Sequence, residues 1–515
     1  MDCQRQVHLD SPPPLRSRRK CRSKDCREKK TIAATLADSL RILFGQLRPT
    51  GDSRVIDRLT RLALGLLTCI GRSTVTGMLS AAGREQHDWS ADYRVFSRGR
   101  FQPSELFGLV EARLLEHLPP AQAVVTALDD TKLRKTGTKI PGVSYQRDPM
   151  SPPFHTNFIR AQRFVQLSLM MPLDVNAPAA ARGFPIRFRH APPPPRPGAK
   201  ASPEQLAAYR RLQKTQNLSV AGAEIIKDCR SSLDSRGAAA RMLVVSVDGS
   251  YTNRTVLKDL PPRTTLIGRI RKDAKFCFPP SEQPDRGRRR DYGDAAPTPE
   301  ALLKDETTPW SHVRVWASGK YHDCQYKTIT SIQWRKAGAH RLLRLIVIRP
   351  LGYRLTAQSR LLYRQPAYLI CTDPSLPLQT VIQDYFWRWD IEVNHRDEKQ
   401  LIGVGQAQVR SKLSVELVPA FAVASYSMLL LASAQTHGFD ATQPAFSVPK
   451  WRRRSVALQH RLTTGQILAD LRRSQLDAPS GPLPNFDHFE NRVARHKKCS
   501  KSLISRQQAI DYAMR

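Results

Sequence analysis

Acidic residues are in short supply: 45 Asp and Glu stand against 82 Lys and Arg in 515 residues, for a formal net charge of +37. An enzyme of small acidic metabolites rarely carries such a surplus. A polyanionic partner rewards it, because every phosphate neutralised releases counterions, and nucleic acid leads that class. Cysteine offers no framework either. Nine are scattered along the chain in an odd number and without regular spacing, which suits reduced thiols in a cytoplasmic or nucleoid setting and not a disulfide scaffold. The start, Met1-Asp2-Cys3-Gln4-Arg5, lacks the apolar stretch of a secretory signal. Uncharged apolar runs are also scarce. One of 18 residues, Leu417 to Ala434, reaches the lower limit of a membrane span, but it contains Pro419, Ser425, Ser427 and Ser433. A buried core helix explains it more simply, and no membrane partner is expected. No internal repeat is apparent, and the length suits two to four domains.

What is present falls into successive zones. Residues 1–30 hold ten Lys/Arg, four Asp/Glu and Pro12-Pro13-Pro14, a composition too poor in apolar surface to order itself, so it reads as a disordered basic arm. Its Cys3, His8, Cys21 and Cys26 fit no familiar zinc spacing. From 31 to 120 the period is helical: Leu36, Leu40, Leu43, Phe44 and Leu47 share one face, and Val55, Leu59, Leu62 and Leu66 another. The second helix meets Gly71-Arg72-Ser73-Thr74 before a shorter pattern through Met78-Leu79, which is compatible with a DNA-reading helix pair and equally with an ordinary bundle. An α/β pattern follows. Strand-like runs at 123–128 and 164–169, a Pro-rich connector at 192–197, a helix start at Ser202-Pro203-Glu204 and a buried-strand run at 242–247 occupy residues 121–254. Residues 255–366 read as a mostly β insertion, with runs at 265–270, 313–317 and 342–348. A long helix without Pro or Gly spans 378–402, within a segment running from 367 to 440, and 441–515 is basic again.

Two β runs each end on a carboxylate, at Asp129 and Asp248, the strand end where catalytic groups gather in α/β sheets. A turn or cap is the commoner role of one such Asp. On the long helix, Tyr385, Arg388, Glu392 and Lys399 fall within an arc of about 60°, while Asp390 and Glu398 point away. One face thus offers an aromatic, two cations and a single acid. His395 lies near 280° and Arg396 near 20° on that wheel, which leaves Arg396 as the second-tier candidate (about 100° per residue). Trp387 and Trp389 read as core anchors. Lys132, Arg134 and Lys135 are either phosphate contacts or solvated loop cations, and the basic run Gly268–Lys272, with Arg269, Arg271 and Lys272, is a plausible DNA contact. Such a set suits phosphodiester chemistry, in which several carboxylates hold two divalent ions roughly 4 Å apart.

The spacing Tyr385-x2-Arg388-x3-Glu392-x6-Lys399 resembles the Y-R-E-K signature of bacterial cut-and-paste DDE transposases of insertion sequences, which have a ribonuclease H-like core. Asp129-x-Thr131 resembles the first-Asp motif of that family, Asp248-Gly249 its second, and Asp88-Trp89-Ser90-Ala91-Asp92-Tyr93 is also familiar from it. The resemblance covers roughly residues 55–435. It implies an α/β fold: a ribonuclease H-like core in two parts, 121–254 and 367–440, interrupted by a mostly β insertion at 255–366 and preceded by an all-helical DNA-binding domain at 31–120. It implies Asp129, Asp248 and Glu392 as catalytic and metal-binding acids, with Tyr385, Arg388 and Lys399 on the DNA end. Asp130 is the alternative to Asp129, since strand alternation sends the two to opposite faces. Two Mg²⁺ ions are the implied cofactors, with Mn²⁺ able to substitute. The implied partners are transposon-end and target double-stranded DNA, with a dimer on paired ends and no small-molecule substrate. A catalytically silent DNA-binding protein or repressor is the alternative function, and a basic RNA-binding or nucleoid protein a third.

Overall fold

The structure is a computed structural model that describes residues 35–476, apart from 49–50, 153, 175–178, 284–286, 336, 355, 357, 449, 452 and 454–458. The basic arm 1–30, with Cys3, His8, Cys21 and Cys26, lies outside the described residues, as does everything after 476.

Five helices come first: α1 (Leu36–Gly45), α2 (Ser53–Thr68), α3 (Val75–Ala81), α4 (Ser90–Ser97) and α5 (Pro103–His117). Capping chemistry starts the first two. Thr35 and Asp38 form a reciprocal capping box on α1, and Asp52 accepts from the Arg54 amide on α2. The leucine stripes of both helices are buried as their period predicts. Gly65 permits the tight α2–α3 crossing, because a Cβ there would meet the Met78 carbonyl at 2.1 Å. The turn between them is packed as well: Ser73 is buried, and its amide donates to Gln406 Oε1 at 2.7 Å.

The centre is a 12-stranded mixed sheet. The strands β1 (Val124–Arg134), β2 (Ser144–Arg147), β3 (Phe158–Pro172) and β4 (Ala181–His190) precede helices α6 (Pro203–Thr215) and α7 (Leu218–Ser235). Then come β5 (Leu243–Val247), α8 (Arg254–Lys258), β6 (Thr264–Arg269), β7 (Phe276–Cys277), β8 (Ala295–Ala296), α9 (Pro299–Lys304), β9 (Ser311–Ala317), β10 (Lys320–Trp334), β11 (Leu343–Ile348) and β14 (Ala367–Cys371). A separate pair, β12 (Gly352–Tyr353) with β13 (Leu362–Tyr363), sits off this sheet. β3 runs antiparallel to both β4 and β1, and β1, β5 and β6 run parallel. Valine-rich runs buried on both faces, such as Leu243–Val247, suit such a central position.

Two expectations change here. The strand that was to stop at Leu128 runs on to Arg134, because β3 keeps pairing with it after β5 has ended at Val247. Nor does the segment 255–366 stand apart from the sheet. Its first strand, β6, is buried and pairs parallel with β5, while β14, β11 and β10 extend the sheet beyond it.

The long C-terminal helix is divided into α10 (Leu378–Trp387), α11 (Trp389–Asp397) and a π turn over Glu398–Ile402. After it come α12 (Ser414–His437) and α13 (Thr464–Leu476). By length and composition α12 could cross a membrane, yet 89% of its apolar window is buried inside the protein, against α1, α2, α5 and β4. The two faces of the sheet bury different sets. Leu128 and Val247 pack with Ile225 of α7, whereas Val125, Ala127 and Val244 pack with Val381, Ile382 and Ile391 of α10 and α11.

Candidate active site

The parallel register pairs Leu128 with Val247, so the next residues, Asp129 and Asp248, emerge side by side where β5 ends. Alternation along β1 places Asp129 with Ala127 on the α10–α11 face and Asp130 with Leu128 on the α7 face. Asp248 turns the chain: its carboxylate accepts from the Ser250 amide at 2.9 Å and from the Ser250 hydroxyl at 3.2 Å.

Glu392 comes from α11. Arg388, at the junction of α10 and α11, donates to Glu392 Oε1 at 2.8 Å and to Asp129 Oδ2 at 3.4 Å. Its guanidinium also lies 5.9 Å from the centre of the Tyr385 ring. Burial pushes the Asp129 carboxyl up to about 6, opposed by His395 and Arg388 and reinforced by Asp248, and burial raises Asp130 as well. Burial thus disfavours the ionised form of both carboxyls despite the nearby cations.

Buried polar contacts fix α11 over these strands. Asn394 donates to the Gly183 carbonyl at 3.0 Å and accepts from the Ser168 hydroxyl at 3.0 Å. Gly183 allows that approach, since a Cβ would meet Asn394 Oδ1 at 2.8 Å. On the opposite side Asp390 is held by Arg461 at 2.6 and 3.2 Å, and Asp397 accepts from the Thr464 hydroxyl at 2.7 Å. Part of the C-terminal region that reads as merely basic thus braces the site helix.

The remaining predicted residues divide. Lys399 is exposed, and its charge is felt by Asp129, Asp130 and Glu398. Arg269, at the end of β6, is near enough to act on Tyr385. Arg271 and Lys272 are instead engaged by Asp273 at 3.0 Å and Glu300 at 3.4 Å. Arg396 pairs with Asp397 at 2.8 Å, and the buried His395 faces the acids in its place. His395 Nδ1 lies 3.4 Å from Glu398 Oε2, and Glu398, predicted to point away, is buried behind it. The wheel fails at this point because the helix breaks at Arg388 and widens to a π turn at Glu398. Lys135 is no solvated cation: it is buried, donates to the carbonyls of Gly405 (2.8 Å) and Ala407 (2.7 Å), and is lowered to about 8 by burial. Trp387 is partly buried and bonded to the Ala179 carbonyl, whereas Trp389 is 59% exposed and anchors nothing.

Residues 52–341 match the family described as DDE superfamily endonuclease. The chain belongs to that family. The match contains Asp129 and Asp248 and ends before Tyr385, so α10 and α11 of this DDE endonuclease are read from their own geometry. No curated protein matches the chain. A DDE endonuclease acts on DNA and typically uses divalent metal. Asp129, Asp248 and Glu392 offer carboxylate oxygens, as Mg²⁺ prefers, with the His395 imidazole near Asp129. Among the described residues no three His, Cys, Asp or Glu side chains already converge on one ion position. Between Asp129 and Glu392 the positive charge is that of Arg388.

Proposed function

We propose that this endonuclease is a cut-and-paste transposase, which cleaves the ends of a mobile DNA element and joins the freed 3′-OH to target DNA. The observation that carries the reading is Arg388, which ties Glu392 on α11 to Asp129 on β1, 259 residues away in sequence from the arginine. That contact brings a helix acid to the strand end that carries Asp129, which supports a phosphodiester-transfer site. The antiparallel β4-β3-β1 set followed by parallel β1-β5-β6 supports a ribonuclease H-like core. The family match does not favour a catalytically silent repressor.

Asp129, Asp248 and Glu392 are the groups that hold divalent ions, Mg²⁺ or Mn²⁺. When bound, those ions supply an activated water for cleavage and charge neutralisation for strand transfer. The protein's own part is positioning. Arg388 and Lys399 grip phosphates beside the scissile bond, Arg388 leaving the carboxylates as it does so. Tyr385 and Arg269 border the same DNA end. Asp130, on the other face, takes no direct part. Paired ends call for at least a dimer on DNA, and the enzyme works in the cytoplasm or nucleoid.

The test is a plasmid carrying this gene with its flanking DNA, incubated with the protein and Mg²⁺. Cleavage at the element boundaries, lost in Glu392→Gln, is the expected result. Full Mg²⁺-dependent cleavage by Glu392→Gln overturns the assignment.

A further inference from the structure

The α7 side of the sheet carries a second feature. Helix α6 has no buried residue, although Ser202 and Gln205 cap it with a complete capping box. It is therefore a well-started helix that the other described residues do not bury. Its exposed face presents Arg210, Arg211 and Lys214, and among the described residues none of the three has an acidic partner. The Pro-rich connector before it adds the exposed Arg196 and Lys200. Over residues 196–216 five cations face one acid, Glu204, which is occupied by the Ser202 hydroxyl at 2.7 Å.

This surface reaches toward the α7-side end of the strands. A trough of about 620 Å³ runs between the connector, α6 and the start of α8, with Arg163, Gln213, Asn253 and Arg254 along its walls. A second, of about 470 Å³, continues from Gln213 to Arg210 and Arg196. At the inner end Arg163 donates to the Ala191 carbonyl at 3.1 Å and is the foremost charge opposing Asp130. Asn253 belongs to the turn that begins at Asp248. The path thus leads from Arg163, beside Asp130, and from the turn after Asp248 out along α6.

We infer that this trough and the basic face of α6 hold the phosphate backbone of duplex DNA flanking the scissile bond. The inference rests on the proposed function for what happens at the acids and adds where the DNA runs. Charge complementarity carries it: Arg210, Arg211 and Lys214, without acidic partners among the described residues, lie along a trough that starts beside Asp130 and the turn after Asp248 in a DNA endonuclease of net charge +37. The length fits too. Thirteen helical residues span about 20 Å, or roughly six base pairs at 3.4 Å each.

The experiment is a salt series of binding to a labelled 40-base-pair duplex, comparing the full chain with its Arg210→Gln/Arg211→Gln/Lys214→Gln variant. Glutamine has similar helix propensity, and none of the three residues is buried, so the fold is kept. Each lost phosphate contact should flatten the slope of log K against log salt by about 0.9, so the triple variant should lose up to about 2.7. Affinity at low salt should fall roughly tenfold or more. An unchanged slope and affinity in the variant overturn the α6 path while leaving the transposase reading intact. Failure of the unaltered chain to bind or cleave DNA overturns both.

Discussion

Two clusters of sequestered carboxylates in this molecule are built on opposite plans. Around Glu111 of α5, which is fully buried, every need is met. Arg187 of β4 donates at 3.1 Å, the Ser232 hydroxyl at 2.8 Å, and Arg187 also reaches Asp228 at 2.6 Å. That network pins a helix of the N-terminal set to the sheet and to α7. At the strand ends, Asp129 shares Arg388 with Glu392, Asp248 adds its charge beside Asp129 and Asp130, and burial raises those two. A structural cluster balances its charge internally. A site for a cation and a polyanion keeps charge unbalanced until its ligands arrive.

The sharpest test of that contrast is to neutralise one acid of each cluster. Asp129→Asn and Glu392→Gln should each lower Mg²⁺-dependent DNA cleavage by at least about 10³-fold. Thermal unfolding measured without metal should leave their melting temperatures unchanged or raised, because each substitution relieves crowding. A melting temperature that falls in step with activity would place these acids with Glu111 as structural groups. Asp130→Asn, on the other face, should retain most cleavage.

Glu111→Ala should do the reverse. It leaves Arg187 buried opposite an emptied position, at a cost of about 3–5 kcal/mol. Urea unfolding should read the loss, and cleavage at low temperature, where the variant is still folded, should stay near the unaltered level. A stability-neutral Glu111→Ala would dissolve the comparison from the other side.

Only one of these clusters was legible in the sequence. Asp129 and Asp248 announce themselves because apolar strand runs end on them, and Arg388 and Glu392 because four-residue spacing stacks them on one helix turn. Glu111 and Arg187 give no such local signal: they are 76 residues apart, and their pairing is made by the packing of α5 on β4. Within the site, the sequence misplaced His395, Arg396 and Glu398. A wheel of constant pitch cannot anticipate the break at Arg388 or the extra residue in the π turn. The exposure of α6 is likewise a tertiary property. Its cap at Ser202 and its proline-rich approach could be read, but not that the other described residues leave it unburied.

Asp384 of α10 is an intermediate case that refines the contrast. It is buried like Glu111, yet its Oδ2 has no hydrogen-bond partner, and burial alone pushes it up to about 8. A carboxyl raised in the folded state keeps its proton where the unfolded chain has already lost it, so stability falls as pH rises from about 4 to about 8. Asp384→Asn removes that loss. The variant should match the unaltered protein near pH 4 and exceed it by up to about 5 kcal/mol at pH 8. A constant difference across the range would mean that the group is ionised in the fold and compensated, as in the Glu111 cluster.

Surface pairs set the lower bound. Arg271 and Asp273 meet at 3.0 Å with side chains 86% and 61% exposed, so water screens both charges and the pair holds neither in place. Arg271→Ala should shift unfolding by no more than about 0.5 kcal/mol. Cleavage is the informative readout, because Arg271 follows directly on the strand that carries Arg269. If DNA passes over the end of β6, losing this cation should reduce cleavage severalfold at low salt and less at high salt, where screening already weakens the contact. Equal cleavage at every salt concentration would confine the DNA path to Arg388, Lys399 and the α6 side. Arg271 would then belong, with its partner, to neither of the two clusters.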